Sequence, residues 1–480
     1  MIRRGTERKA EQGKPAMAME RRNVEQQGEL WMLASQAPRS PGHVFYQKLN
    51  EVMAEADFDR WVEERCRPYY AEKLGRPGIP PGVYFRMLLV GYFEGIGSQR
   101  GIAWRCADSL SLRTFLGMAS NEESPDHSSL TVIRERLPHE VHAAVFEWVL
   151  TLAREKKALN GKTLGVDSTT LEANAAMKSI IRKDTGEDWQ QYLTTLMRET
   201  GAIGPDDTPT VEELKRFDKS RKNKTVSNDE WESPVDPDSR IAKMKDGTTH
   251  LAYKAEHAVD LDSEMIVAAE IYPANQADTH TLEDTVNAAQ THLHESGSDV
   301  AVKDVVVDKG YHSNEVLETF AEETPYRTYI PEPKLPEGRK HRWTDKPETQ
   351  RDAAYANRRR SRGERGRRLQ RQRSERVERS FAHVCETGGA RRTWLRGIAK
   401  VRKRYLIAAV AHNLGRLMRA LFGIGTPRGL QAAAGALSAV CCAVPTTQLA
   451  RWCRTTIEEQ VLRHRNSWRA FARNHALARA

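Results

Sequence analysis

An α/β layer domain preceded by an all-helical region is the fold class predicted by this 480-residue sequence. Three observations predict it: valine-rich strands alternate with helical segments from residue 163 onward, residues 44–158 follow a helical period almost throughout, and a polar stretch at 178–248 interrupts the strands. A chain of this length is expected to hold two to four domains.

Residues 1–43 read as a charged, flexible leader ending in the proline- and serine-rich "SQAPRSPGH", without the apolar segment of a secretion signal. The helical region 44–158 follows. There "IPPGVYFRMLLVGYFEGI" opens on prolines suited to a helix start, and "SQRGIAWRCADSLSLRTFLGM" supplies two shorter helices. In "SPDHSSLTVIRERL", Asp126 or Ser128 caps a helix that sets Leu130, Ile133 and Leu137 on one face and Arg134 and Arg136 elsewhere. Short helices ending in such a unit outline a helix-turn-helix; a helical packing or dimerisation domain fits equally well.

The α/β region, 159–420, begins with the strand "TLGVDSTTLEANA" and resumes after the insertion at about 178–248. "THLAYKAEHAVDLDSEMIVAAEIYPA" reads as two strands joined at "DLDSE", "DTHTLEDTVNAAQTHL" as a helix, and "KDVVVDKGYHSNEVLETFA" as strand, turn and helix. Residues 421–480 form a basic helical tail, in which "LQAAAGALSAVCCAV" is too short to span a bilayer. Cys66, Cys106, Cys385, Cys441, Cys442 and Cys453 show no metal or disulfide spacing, so a reducing cytoplasm is expected. "HEVH" lacks zinc-protease spacing, and no phosphate loop implies ATP.

Net charge is +10, but eleven arginines lie within 357–379 against Glu364, Glu375 and Glu378, and nine basic residues within 391–420 face no acid. These two segments outweigh the total, so the rest of the chain is net acidic. Such a polycation implies a polyanionic partner. Arginines from Arg358 to Arg379, with Arg371, Arg373 and Arg376 among them, and basic residues from Arg391 to Arg404, including Arg396, Lys400 and Lys403, suit the phosphate backbone; Lys309 lies beside the turn after the valine strand. Arg134 and Arg136 would read bases, whereas Trp343 and Trp394 are core or surface aromatics more often than base-stacking ones.

Two strands end on aspartates: Leu164–Val166 lead to Asp167, and Val305–Val307 to Asp308. At the carboxyl ends of α/β strands such residues converge, and carboxylates converge only around a cation, of which Mg²⁺ or Mn²⁺ suits hard oxygen donors. Either aspartate alone is also a helix cap or turn residue. A third ligand is available from Glu378, which shares a helical face with Phe381, Ala382 and Cys385, or from Glu375 one turn earlier; alternatively both are surface partners of arginines.

The blocks "GVDSTTLEANA", "HLAYKAEHAVDLDSEMI", "YPANQADTHTL", "VVVDKGYHSN" and "RVERSFAHV", in this order, resemble bacterial insertion-sequence transposases with an RNase H-like DDE catalytic domain. "IPPGVYFRMLLVGYFEGIGSQRGIAWRC" and "SPDHSSLTVIRERL" are similar to the N-terminal helical domain of the same proteins, and the likeness spans about 44–420. The resemblance implies an RNase H-like mixed sheet flanked by helices and a metal-binding triad of Asp167, Asp308 and Glu378. It further implies two Mg²⁺ or Mn²⁺ ions, cleavage and strand transfer at terminal inverted repeats, and a homodimer on double-stranded DNA in the bacterial cytoplasm. Relatives place an Arg four residues before the Glu and a Lys seven after it; here those positions are Ser374 and Cys385, or Arg371 and Ala382 if counted from Glu375. The flanking "VERSF" favours Glu378, and the family's phosphate-binding tyrosine has no counterpart. A purely hydrolytic nuclease and an inactive DNA-binding descendant are the alternatives.

Overall fold

The computed structural model describes residues 43–429 other than 72–77, 120, 223–226, 245–246, 335–342 and 344–345. The leader up to residue 42 and the tail from residue 430, with Cys441, Cys442 and Cys453, lie outside the described residues.

The helical region contains α1 (His43–Glu55), α2 (Phe58–Cys66), α3 (Pro81–Glu94), α4 (Gln99–Asp108), α5 (Leu110–Phe115), α6 (His127–Arg136) and α7 (His139–Glu155). Prolines open α3, and Gly95, at φ 69°, ends it in the left-handed conformation. Asp126 is the cap of α6, accepting the Ser128 amide at 2.8 Å. Leu130, Ile133 and Leu137 are buried as expected, but so is Arg134; only Arg136 of that pair is exposed, over the Tyr70 ring. The ten-residue helix is packed on more than one side, so its second arginine row does not face solvent throughout.

After α7 come β1 (Thr163–Glu172), β2 (Ile181–Arg182), α8 (Trp189–Glu199), α9 (Val211–Ser220), β3 (Trp231–Glu232), β4 (Arg240–Lys243), β5 (Thr249–Asp260), β6 (Ile266–Pro273) and α10 (Asp278–Glu295). Then follow β7 (Asp304–Val306), α11 (Asn314–Glu322), β8 (Arg327–Tyr329), α12 (Glu348–Arg362), α13 (Glu364–Phe381) and α14 (Ile398–Phe422). The main sheet is mixed. β5 pairs antiparallel with β1 on one edge and with β4 and β6 on the other, while β1, β7 and β8 run parallel in that order.

The expected insertion at 178–248 is shorter than its polar composition suggests. Its helices α8 and α9 share a small core of Leu193, Met197 and Leu214, but β4 joins the main sheet, where alternation over four residues is too brief to stand out in the sequence.

Alternation along β5 assigns the two faces. Glu256 points toward α10, and its neighbour His257 toward α13 and α14. The 25-residue α14 packs on β6 and also on α7 and α3, and one hydrophobic core runs from Phe45 to Met418. The change at 158 is therefore a change of secondary structure without a break in packing. Among the described residues no helix is long and apolar enough to cross a membrane.

Helix α13 rests on β1 at Gly165. A Cβ there would lie 2.6 Å from Leu261, 2.9 Å from Val377 and 3.1 Å from Arg373. Gly165→Ala is expected to destabilise the protein by about 1–3 kcal/mol through overpacking, read from the midpoint of denaturant unfolding.

His142 is buried, facing the Tyr84 hydroxyl and the Pro138 carbonyl, and burial lowers its pKa to about 4. The folded chain keeps this imidazole neutral where the unfolded chain, near pH 6.5, takes up a proton. Its contribution is thus fully present above pH 6.5 and is lost as pH falls toward 4. In His142→Gln the pH dependence of stability across that window should be shallower by up to about 1.4 kcal/mol per pH unit, measured by denaturant melts.

Candidate active site

Strand pairing brings the two predicted aspartates level. β1 and β7 pair in parallel as Thr163 with Asp304, Leu164 with Val305 and Gly165 with Val306, so Asp167 and Asp308 are each two residues past the last pair. Asp167 does not end its strand: β1 continues to Glu172, held by β5, and Asp167 lies where β7 turns away. A cap role for Asp167 is thereby excluded. Asp308 does cap the turn Lys309–Tyr311, accepting the Gly310 amide at 2.7 Å.

Both aspartates are half-buried. Asp167 Oδ2 accepts from Arg373 Nη1 at 2.8 Å, and its Oδ1 from the Ser168 amide at 2.9 Å. Arg373 is itself buried, so this guanidinium offsets the aspartate's charge and is not presented to a backbone phosphate. Gly310 lies between two carboxylates: a Cβ there would be 3.0 Å from Asp308 Oδ1 and 3.3 Å from Asp278 Oδ2.

Asp278, the first residue of α10, is a carboxylate that sequence reasoning missed, although it stands in the quoted block "YPANQADTHTL". Its Oδ1 accepts from Ser168 Oγ at 2.9 Å and pairs with the buried Lys254 Nζ at 2.7 Å. Lys254 in turn donates to Thr281 Oγ1 at 2.7 Å and lies 3.6 Å from Glu256 Oε1. Glu256 is fully buried and accepts from Thr281, from Thr285 and, at 2.6 Å, from the Tyr311 hydroxyl. Burial raises the Glu256 carboxyl above its usual range; burial and then the Glu256 charge hold the Tyr311 phenol well above its own, so the phenol is the donor. Tyr311 thus fastens the Asp308 turn to β5.

Glu378 is exposed, contrary to the expectation that Phe381 would carry it inward. Phe381 does bury, stacked on His257 at 4.0 Å, but the helix widens into a π turn at Ala382–Thr387, so Ala382 is exposed while Cys385 is buried. Glu378 continues the row Gln370, Ser374, Glu378, and Gln370 donates to the Val307 and Tyr329 carbonyls at the carboxyl ends of β7 and β8. Glu375 instead pairs with Arg379, which also holds Glu264 at 2.7 Å. Among the described residues no group of three or more His, Cys, Asp or Glu is arranged to hold a metal.

Residues 35–136 match the family described as "Transposase domain (DUF772)", and residues 217–414 match "Transposase DDE domain". The chain belongs to the insertion-sequence transposases. No curated protein and no solved structure matches it. The second match takes in Asp308 and Glu378 of this transposase but not Asp167, which is tied to the site by its register with β7.

Of the other basic residues expected on DNA, Lys400 pairs with Glu135 at 2.9 Å, and Lys403 donates to the Arg134 and Leu137 carbonyls, capping the end of α6. Lys309, Arg371 and Arg396 are exposed and Arg376 is half-buried. Exposed Trp394 lies against Arg392, whereas half-buried Trp343 lies against Tyr355.

Tyr311→Phe removes a hydrogen bond to a buried carboxylate. It should cost about 1.5–3 kcal/mol of stability, measured by denaturant melts. Tyr311→Phe together with Glu256→Gln should cost less than the two single changes added together, because the pair acts as one unit.

Proposed function

We propose that this transposase binds the terminal inverted repeats of its element and catalyses metal-dependent strand cleavage and strand transfer, with Asp167, Asp308 and Glu378 as the triad. The observation that carries the reading is the level placement of Asp167 and Asp308 beyond the β1–β7 pairing. The strand order β6-β5-β1-β7-β8, with β1, β7 and β8 parallel and β5 and β6 antiparallel neighbours, supports an RNase H-like reading of the domain.

The donor chemistry fits Mg²⁺ or Mn²⁺, since paired carboxylates on adjacent strands are hard ligands whose repulsion a cation relieves, and Arg373 already offsets one of them. Asp167 and Asp308 would hold the metal, with Glu378 favoured over Glu375 because Glu375 is paired with Arg379. Two such ions, when bound, activate a water or a 3′-hydroxyl and stabilise the leaving oxygen at phosphorus. The chain's own contribution is positional. Lys254, Glu256 and Tyr311 fix the Asp308 turn, Arg373 orients Asp167, and exposed Lys309 and Arg371 are available to phosphates. A homodimer on double-stranded DNA in the cytoplasm belongs to the same reading.

The test is divalent-metal-dependent cleavage of a duplex ending in the inverted repeats that flank the coding region. Asp308→Asn should abolish cleavage while duplex binding persists; equal cleavage by both proteins would sink the triad. Cleavage without strand joining would favour a purely hydrolytic nuclease, and binding without cleavage by the wild type an inactive descendant.

A further inference from the structure

At the end of the sheet opposite Asp167 and Asp308, an open groove of about 550 Å³ lies between the starts of β1, β7 and β8 and the first half of α13. Its cations are Lys162, Lys303, Arg327, Arg365 and Arg368; its acids are Asp262 and Asp304. Asp304 is 2% exposed and is held by both Arg327 and Arg365, whose side chains remain 53% exposed. One buried carboxylate thus fixes two guanidiniums at the rim. Arg327 reaches Asp304 through Nε and Arg365 through Nη2, and a guanidinium carries five N–H donors, so further donors remain on each.

Lys162 and Lys303 stand on adjoining segments just before β1 and β7, joined by the Lys303 amide to the Lys162 carbonyl at 2.9 Å, and both are exposed. Like charges on neighbouring strands destabilise a sheet unless an anion lies between them. Among the described residues neither lysine, nor Arg368, makes an ion pair. The arrangement differs from the other arginine-rich surfaces, where Arg358, Arg379 and Arg391 are each engaged by glutamates.

We propose that this groove holds the phosphodiester backbone of duplex DNA, independently of sequence, at a place separate from the cleavage site. The inference rests on the reading of the chain as a DNA transposase. Asp167 stands five residues after Lys162 along β1, roughly 17 Å at about 3.3 Å per residue. For a duplex lying along the strands that is about five base pairs from the reacting phosphate. Ammonium and guanidinium groups from the strand starts and from one side of α13, spread along an open groove, suit phosphates more than base edges.

The experiment measures binding of a random-sequence duplex of about 30 base pairs to the full chain by fluorescence anisotropy, over a range of NaCl and without divalent metal. In the triple variant Lys162→Gln, Lys303→Gln, Arg368→Gln the slope of log affinity against log salt should fall by about 2–3. A control triple variant, Lys215→Gln, Lys219→Gln, Lys222→Gln, changes net charge equally on the exposed surface around α9 and should keep the wild-type slope. An unchanged slope in the groove variant, or an equal fall in the control, would overturn the groove while leaving the transposase reading intact. Failure of both wild type and Asp308→Asn to bind any duplex would overturn the reading itself. Should circular dichroism show the triple variant unfolded, Lys303→Glu alone should lower the slope by about 1, and no change would again overturn the proposal.

Discussion

Two adjacent polar side chains on β5, Glu256 and His257, tie both faces of the sheet to the candidate site. On one face Glu256 gathers Thr281, Thr285 and Tyr311, joining α10 and the Asp308 turn to the strand. On the other, His257 Nδ1 faces Ser380 Oγ at 2.8 Å and its Nε2 faces the Tyr405 hydroxyl at 2.8 Å, joining α13 and α14. A buried carboxylate or imidazole is costly unless its polar atoms are satisfied, so each fixes its partners closely. The three proposed triad residues thus lie on segments referred to one strand: Asp167 pairs beside it, Asp308 is fastened by Tyr311, and Glu378 is two residues from Ser380.

The arginine-rich C-terminal half behaves less like a free polycation than its composition suggests. Arg358 and Arg362 share Glu332, Arg373 holds Asp167, Arg379 and Arg416 share Glu264, and Arg402 donates to the Ile271 carbonyl. The acids that make the rest of the chain net negative are brought back onto these helices by folding. What is left for an external polyanion is a subset selected by geometry, which a sum over the sequence does not resolve.

Strand positions were legible because β5, β6 and the start of β7 are long or valine-rich apolar runs bounded by turn residues, and the hairpin at 260–264 stands where expected. Asp308 was legible at the end of its valine run for the same reason, whereas the continuation of β1 past Asp167 to Glu172 was not. Asp278 was not, since its meaning depends on Lys254 and Ser168, which come from different strands and leave no local spacing. Arg134 was misread as outward because periodicity reports one buried face and is silent on a second. Helical spacing alone sets Glu378 beside Phe381, but the face that α13 buries near its end runs through Arg373, Val377, Ser380 and Phe381 and leaves Glu378 outside it.

The strand β4 changes what kind of object the insertion is. A self-contained module can be deleted and its ends rejoined, as its own small core of Leu193, Met197 and Leu214 invites. Here the module lends Arg240–Lys243 to the host, covering the backbone of Thr249–Ala252 on β5. Excising the whole polar stretch would uncover donors and acceptors along the strand to which the candidate site is referred, an edge open to pairing with other chains. The boundary at which this protein can be trimmed therefore lies before residue 240, in the backbone hydrogen bonds, and not where the polar composition ends.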